Sequence, residues 1–384
     1  MSKRAEASAW EKLFRYVDEK DLPNLKLYAY HGVDRSIIAN HVGQPFWRWV
    51  VEFLPLTMAA NLVTVVGFAF MVASYALTAF YVPSLTGEAP WWVYMVNALC
   101  LFIYQTMDAA RRTNTSSPLG ELVDHGCDAL TTTLMALTVA SSLQLGPTWV
   151  AQYAIIMSMA GFYAAQWEEY HTGVLDLGIF NVTEAQLSTM GLYVATALLG
   201  PSVWLQTITV FGYTVQCNHL FIALATFPML QNIFSSVYNM AKRVGEGADG
   251  LVAVFGRLFP FLSLVAASVV WANYSKADVL QHPQLWIGSF GLLCGNIIGR
   301  MVLARVVKQA FHPIQPLLFS FYIGAALSLV GAWSARVEYA FLVGCYVQSI
   351  LGYYLFAHSV VHEITTYLDI GFLTIKNKRS KKAN

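Results

Sequence analysis

Between Asp108 and Asp128 the chain sets three aspartates, a glutamate, a histidine and two arginines inside or beside apolar segments. Ionisable groups at membrane depth are costly and mark a functional site by default. Asp124 and Asp128 are four residues apart, so on a helix their carboxylates share one face, a turn apart. Gly120 falls one further turn back on that face and leaves room for a ligand or another backbone. Carboxylates converging near a helix start form a hard, anionic oxygen site that suits Mg²⁺, Mn²⁺ or Ca²⁺. Such ions usually bridge protein carboxylates to substrate phosphates. Arg111 and Arg112, just upstream, offer forked donors for phosphate. His125, set between the two acids, is a candidate general base. The bland use of these groups is a salt-bridge network tying two spans together. The number of charges, with a spaced glycine beside them, exceeds what one tie requires.

These residues must be held by elements that the composition describes well. Of 384 residues, 57% are hydrophobic and 12% charged, against roughly 25% charged in an ordinary soluble domain. Mean hydropathy is +0.51. Apolar runs of membrane-crossing length recur from residue 53 almost to the end. The fold class expected is an all-α polytopic membrane protein with about ten transmembrane helices, because a barrel would show alternating ten-residue segments instead. Nothing in this pattern suggests nucleic acid as a partner.

The spans expected are roughly 58–82, 90–108, 121–143, 147–167, 185–200, 217–240, 256–274, 284–307, 313–333 and 338–364. Residues 1–43 read as a cytosolic N-terminal segment with no apolar signal-peptide core. Residues 44–57, beginning QPFWRWVVEFLP, read as an amphipathic helix lying in the interface or as the polar foot of the first span. Residues 58–370 form a single transmembrane domain, and 371–384 a basic cytosolic tail. With a cytosolic N-terminus, alternation puts all of the 23 Lys and Arg except Lys276 and Arg336 on the cytosolic side. Both termini are then cytosolic, and the acidic stretch opens toward the cytosol. A charged, water-soluble substrate can enter there while an apolar one arrives through the bilayer.

The residues also carry a resemblance. The segments ARRTN (110–114), SSPLGEL (116–122) and DHGCD (124–128) resemble the CDP-alcohol phosphotransferase family, whose motif reads D-x2-D-G-x2-A-R-x8-G-x3-D-x3-D. Within it the chain is most similar to the eukaryotic choline/ethanolamine phosphotransferases. Ala110, Arg111, Gly120, Asp124 and Asp128 match at the motif's spacing. The likeness extends to LKLYAYHGVDRS (25–36), QPFW (44–47), ANLVTVVG (60–67) and GIFNVTEAQ (178–186). One part departs from the pattern. Met107-Asp108-Ala109 runs directly into Ala110, where relatives carry about five more residues and a second aspartate followed by glycine. Counting back from Ala110, the two acid positions fall on Ile103 and Thr106. In a helix, five missing residues move Asp108 about 7.5 Å along the axis and turn it by roughly 140°.

The resemblance implies that Asp108, Asp124 and Asp128 hold Mg²⁺ or Mn²⁺, with Arg111 near the phosphates and Asn61 and Gly120 near the cytidine. It implies transfer of phosphocholine or phosphoethanolamine from CDP-choline or CDP-ethanolamine to diacylglycerol, with His125 or Asp128 as the base. A multi-pass protein of the endoplasmic reticulum or Golgi membrane follows, embedded in the lipid bilayer, with a homodimer left open. Two other readings stay open: a catalytically impaired homologue acting as regulator or dimer partner, and a membrane transporter.

Other features are read more plainly. Trp167 and Tyr170 in QWEEYHTG could cage a choline headgroup, although packing explains them as well. His358 and His362, one turn apart beside Glu363, have metal-like spacing without a third ligand pattern. Arg300, Arg305, Lys308 and His312 are accounted for by positive-inside bias. Five cysteines without a CxxC pair read as buried free thiols.

Overall fold

In chain order the helices of the computed structural model are α1 (Gln44–Val51), α2 (Ala60–Tyr81), α3 (Trp91–Ala109), α4 (Pro118–Ser142), α5 (Trp149–Thr172) and α6 (Val182–Leu199). They continue as α7 (Cys217–Gly245), α8 (Leu251–Phe255), α9 (Phe259–Tyr274), α10 (Pro283–Val306), α11 (Phe319–Leu329) and α12 (Ala335–Leu368). The structure describes residues 15–55, 57–109, 117–247 and 250–376. A helix stands at each of the ten places where the sequence shows an apolar run, α9 filling the seventh with α8 just before it. Among the described residues, five stretches are long and apolar enough to cross a membrane: Ala60–Tyr81, Cys217–Gly245, Leu251–Tyr274, Pro283–Val306 and Ala335–Leu368. Five spans therefore stand by length and apolarity, against the ten expected. The polar content that weakens two of the others is turned inward: Glu121 and His125 of α4, and Glu168 and Glu169 of α5, are all buried.

The architecture is that of an all-α, multi-pass membrane protein. Its centre is α10, almost wholly buried and packed against α4, α5 and α12. Close approach there depends on glycine. A Cβ at Gly291 would overlap Thr133 of α4, and one at Gly299 would come within 2.7 Å of the Phe356 ring of α12. Small residues at helix contacts are how membrane helices bring backbones together. Around this centre α2 packs on α3 and α4, α3 on α6, α5 on α7, and α9 on α11.

The two ends of α10 differ. At its first turns an aromatic cluster closes the fold: Trp271 meets Trp286 edge-on at 5.4 Å, and Trp286 stacks on Phe321 at 5.4 Å. Glu338, fully buried at the start of α12, is satisfied there by Trp271 Nε1, Ser328 Oγ and the Lys276 and Ala277 backbone N–H groups at 2.8–3.0 Å. At the other end lies Arg305, and across it runs the N-terminal segment.

Residues 15–36 of that segment are a folded strap. The N–H groups of Tyr16 and Val17 donate to the Glu363 carboxylate at 3.0 Å, and Asn24 donates to the Val307 carbonyl at 2.8 Å. Strand β1 (Gly32–Asp34) pairs in parallel with β2 (Leu175–Leu177), in the register Gly32 to Leu175 and Asp34 to Leu177. The start of α6 is a capping box of Asn181 and Glu184, and both residues also reach the strap, at Asp34 and Ser36. A hairpin of β3 (Thr207–Val210) and β4 (Tyr213–Gln216) completes the sheet content among the described residues. Helix α1 covers Gln44–Val51, burying Trp47 and exposing Trp49, with Phe53 exposed just beyond it.

Candidate active site

The helix that carries the acids begins with a strong local signal. Ser117 caps α4 by accepting from the Gly120 N–H at 2.9 Å, and Pro118 takes the first helical position. Glu121, Asp124, His125 and Asp128 then follow at i, i+3, i+4 and i+7, which is one stripe of the helix. Acidic side chains near a helix N-terminus are favoured by its dipole.

The stripe brings three of the expected residues together. The ligand atoms of Asp124, His125 and Asp128 lie within 4.8 Å of one another, and His125 Nδ1 is 3.8 Å from an oxygen of Asp128. Tyr104 of α3 donates its hydroxyl to Asp128. Asp108, one turn further along α3, stands outside that group of three, although the Tyr104 hydroxyl lies within electrostatic reach of both Asp108 and Asp128. Neither ring nitrogen of His125 is engaged in a hydrogen bond among the described residues, and its ring lies edge-on to Phe162 at 6.3 Å. The two carboxylates supply hard oxygen ligands that fit a divalent cation such as Mg²⁺ or Mn²⁺, with the imidazole beside them.

Asn61 and Gly120 are neighbours. A Cβ at Gly120 would lie 3.5 Å from Asn61 Oδ1 and 3.1 Å from Ser117 Oγ. Asn61 is oriented by donating to the Phe372 carbonyl at 3.1 Å, so the chain just past α12 folds back over the start of α2. Arg111, with Ala110 and Arg112, lies outside the described residues.

His125 also borders a second acidic group that sequence reasoning missed. Its ligand atoms and those of Glu121 and Glu169 lie within 4.8 Å of one another, and all three residues are buried. Arg305 of α10 pairs with Glu121 and, at 3.1 Å, with Glu169. Tyr28 of the strap donates its hydroxyl to Glu121. Burial pushes the Tyr28 phenol up to about 12, with Arg305 opposing that rise and Tyr30 and Glu169 adding to it. The available signal was Glu169 itself, an acid at the end of an apolar run. Its partner Arg305 was absorbed by charge bias.

The aromatic candidates are otherwise employed. Trp167 is fully buried, packs on Phe255 and donates to the Val254 carbonyl at 2.8 Å. The guanidinium of Arg257 sits 4.9 Å from the centre of the Tyr170 ring, over its face. Glu363 is spent on the strap, and no metal-ligand group among the described residues includes His358 or His362.

No family model matches the chain. Whole-length relatives do. A CDP-alcohol phosphatidyltransferase class-I family protein of Dictyostelium discoideum is 35% identical over 371 residues, covering 95% of this chain and 96% of its own. Choline/ethanolaminephosphotransferase 2 of Arabidopsis thaliana is 32% identical over 390 residues, 95% of this chain and 100% of that protein. The chain belongs to the CDP-alcohol phosphatidyltransferase family. Cholinephosphotransferase 1 of Saccharomyces cerevisiae, 30% identical over 401 residues, covers 95% of this family member and 99% of the yeast protein. This member is therefore an enzyme of the CDP-alcohol phosphotransferase type, held in the membrane by several helices.

Proposed function

We propose that this enzyme transfers phosphocholine or phosphoethanolamine from the CDP-alcohol to diacylglycerol, yielding phosphatidylcholine or phosphatidylethanolamine and CMP. The observation that carries the proposal is the group of Asp124, His125 and Asp128 on one face at the start of α4, in a chain whose whole-length relatives bear choline/ethanolaminephosphotransferase names.

In this reading Asp124 and Asp128, with Asp108 from the end of α3, hold divalent ions. When bound, Mg²⁺ or Mn²⁺ supplies neutralisation of charge on the attacked phosphate and on the departing nucleotide. Tyr104 fixes the Asp128 carboxylate. Asn61 and the open face at Gly120 receive the nucleotide, and Arg111 binds phosphate. His125 takes the proton of the diacylglycerol hydroxyl, whose oxygen forms the new bond to the β-phosphorus. The phosphoanhydride bond breaks, and its electron pair leaves with CMP. Both ring nitrogens of His125 are open to this role, and the burial of the ring keeps bulk water from competing.

The proposal extends to placement. Ten spans with both termini cytosolic put the site at the cytosolic mouth, in the endoplasmic reticulum or Golgi membrane, and α1 lies along the interface with Trp49 and Phe53 toward lipid. The charge distribution supports this orientation. A second reading, a member with impaired turnover, is favoured by one observation: Asp108 stands outside the group formed by Asp124, His125 and Asp128.

The test is product analysis. Purified protein in diacylglycerol-containing micelles is given each labelled CDP-alcohol in turn. Labelled lipid and CMP in equal amounts are expected, and the absence of both with either substrate contradicts the proposal.

A further inference from the structure

Two buried carboxylates and one buried guanidinium meet beside His125. Glu121 is 3% and Glu169 0% exposed at the side chain, and Arg305 is 11% exposed. Buried acids are tolerated when paired, and removing one partner leaves a costly uncompensated charge. The same guanidinium nitrogen, Arg305 Nη2, is the atom that meets both carboxylates, which stand on different helices. Arg305 thereby links α4 to α5 from α10. Tyr28 approaches Glu121 from the strap, which is itself tied to Glu363 of α12 and to the Val307 carbonyl just after α10. Glu121 is thus fixed by two groups drawn from segments far apart in sequence. His125 lies one helical turn after Glu121 on the same stripe.

We infer that Arg305 and Tyr28 are positioning residues for the transfer reaction: they hold Glu121 and Glu169 in fixed places against His125, and through them fix the imidazole toward the acceptor hydroxyl. The inference rests on the transferase reading above. It assigns work to α10 and to the N-terminal strap, neither of which carries any part of the aspartate motif. A loose imidazole costs rate rather than nucleotide affinity, since displacement of about 1 Å can lower turnover by about 100-fold.

The experiment uses full-length protein in detergent micelles and compares wild type with Tyr28→Phe, Arg305→Lys, Arg305→Met and the double variant Arg305→Met/Glu169→Gln. Tyr28→Phe and Arg305→Lys are expected to lower kcat by about tenfold or more with KM for the CDP-alcohol within about twofold. Lysine keeps the charge but carries it on a compact, strongly hydrated head at the end of a flexible stem, which does not reproduce the rigid placement of Nη2. Arg305→Met is expected to lose thermal stability as well. The double variant regains part of that stability, because one of the two carboxylates left without a counter-charge is neutralised, while its kcat stays low. Recovery of wild-type kcat in the double variant, or unchanged kcat in Tyr28→Phe and Arg305→Lys, overturns the inference alone. A wild-type protein without turnover overturns the transferase reading and the inference with it.

Discussion

The hydroxyl of Tyr104 donates to the carboxylate of Asp128, joining the last turns of α3 to the stripe of α4 that carries Asp124 and His125. Tyr104 is 1% exposed, so this donor has no water to replace it. Tyr104→Phe keeps the ring and removes the donor. The expected outcome is a fall in kcat of about tenfold, together with a higher Mg²⁺ concentration for half-maximal rate. Initial rates across a Mg²⁺ titration check it, and an unchanged metal requirement counts against Asp128 as a ligand.

Gly120 faces Asn61 across a gap that a methyl group would narrow. Gly120→Ala is expected to raise KM for the CDP-alcohol by about tenfold while the thermal midpoint moves little, because the open side of that face receives substrate. Steady-state kinetics at saturating diacylglycerol measure this. A change confined to stability would make Gly120 a packing residue.

Glu338 accepts from Trp271, Ser328 and two backbone N–H groups in a fully buried site. Glu338→Ala leaves several donors without a partner and is expected to cost about 3 kcal/mol or more. The thermal midpoint in detergent should fall well below that of wild type, with Glu338→Gln intermediate. KM for the nucleotide should hold, because this network lies at the opposite end of α10 from the acids.

Tyr28 carries a pH signature. Burial raises its phenol to about 12 from an ordinary value near 10. A raised folded value means that the stabilisation is complete below about pH 10 and is lost as pH climbs toward about 12. The stability advantage of wild type over Tyr28→Phe should therefore be constant from neutrality to about pH 10 and shrink above it. Denaturation curves of both proteins across that range decide the point, and an advantage that grows above pH 10 would contradict it.

What could be read from the sequence is what is local. Apolar runs located the helices, and the four-residue spacing of Asp124 and Asp128 put them on one face, while α4 starts at Pro118, three residues before the span expected at 121. What escaped depends on contacts between distant segments. Arg305 reads as one more cytosolic-side cation until α10 delivers it to Glu121 and Glu169. Tyr28 reads as part of a polar lead-in until β1 pairs with β2 and draws the strap across the acidic end. Trp167 and Tyr170 are cage candidates by residue type alone, and their contacts with Val254 and Arg257 come from a segment far along the chain. Five of the ten apolar runs carry helices long and apolar enough to cross a membrane: α4 and α5 hold buried acids and hydroxyls that lower their average, and α11 is apolar but short.

The most direct measurement is the rate of labelled lipid formation from CDP-choline and CDP-ethanolamine with diacylglycerol, taken with Mg²⁺ or Mn²⁺ and again after EDTA, for wild type and Asp124→Asn. Metal-dependent transfer predicts turnover that EDTA abolishes and either cation restores, and a loss of at least about 100-fold in Asp124→Asn. Lipid formation that is indifferent to EDTA or to Asp124→Asn, or no lipid from either CDP-alcohol under any metal, would contradict it.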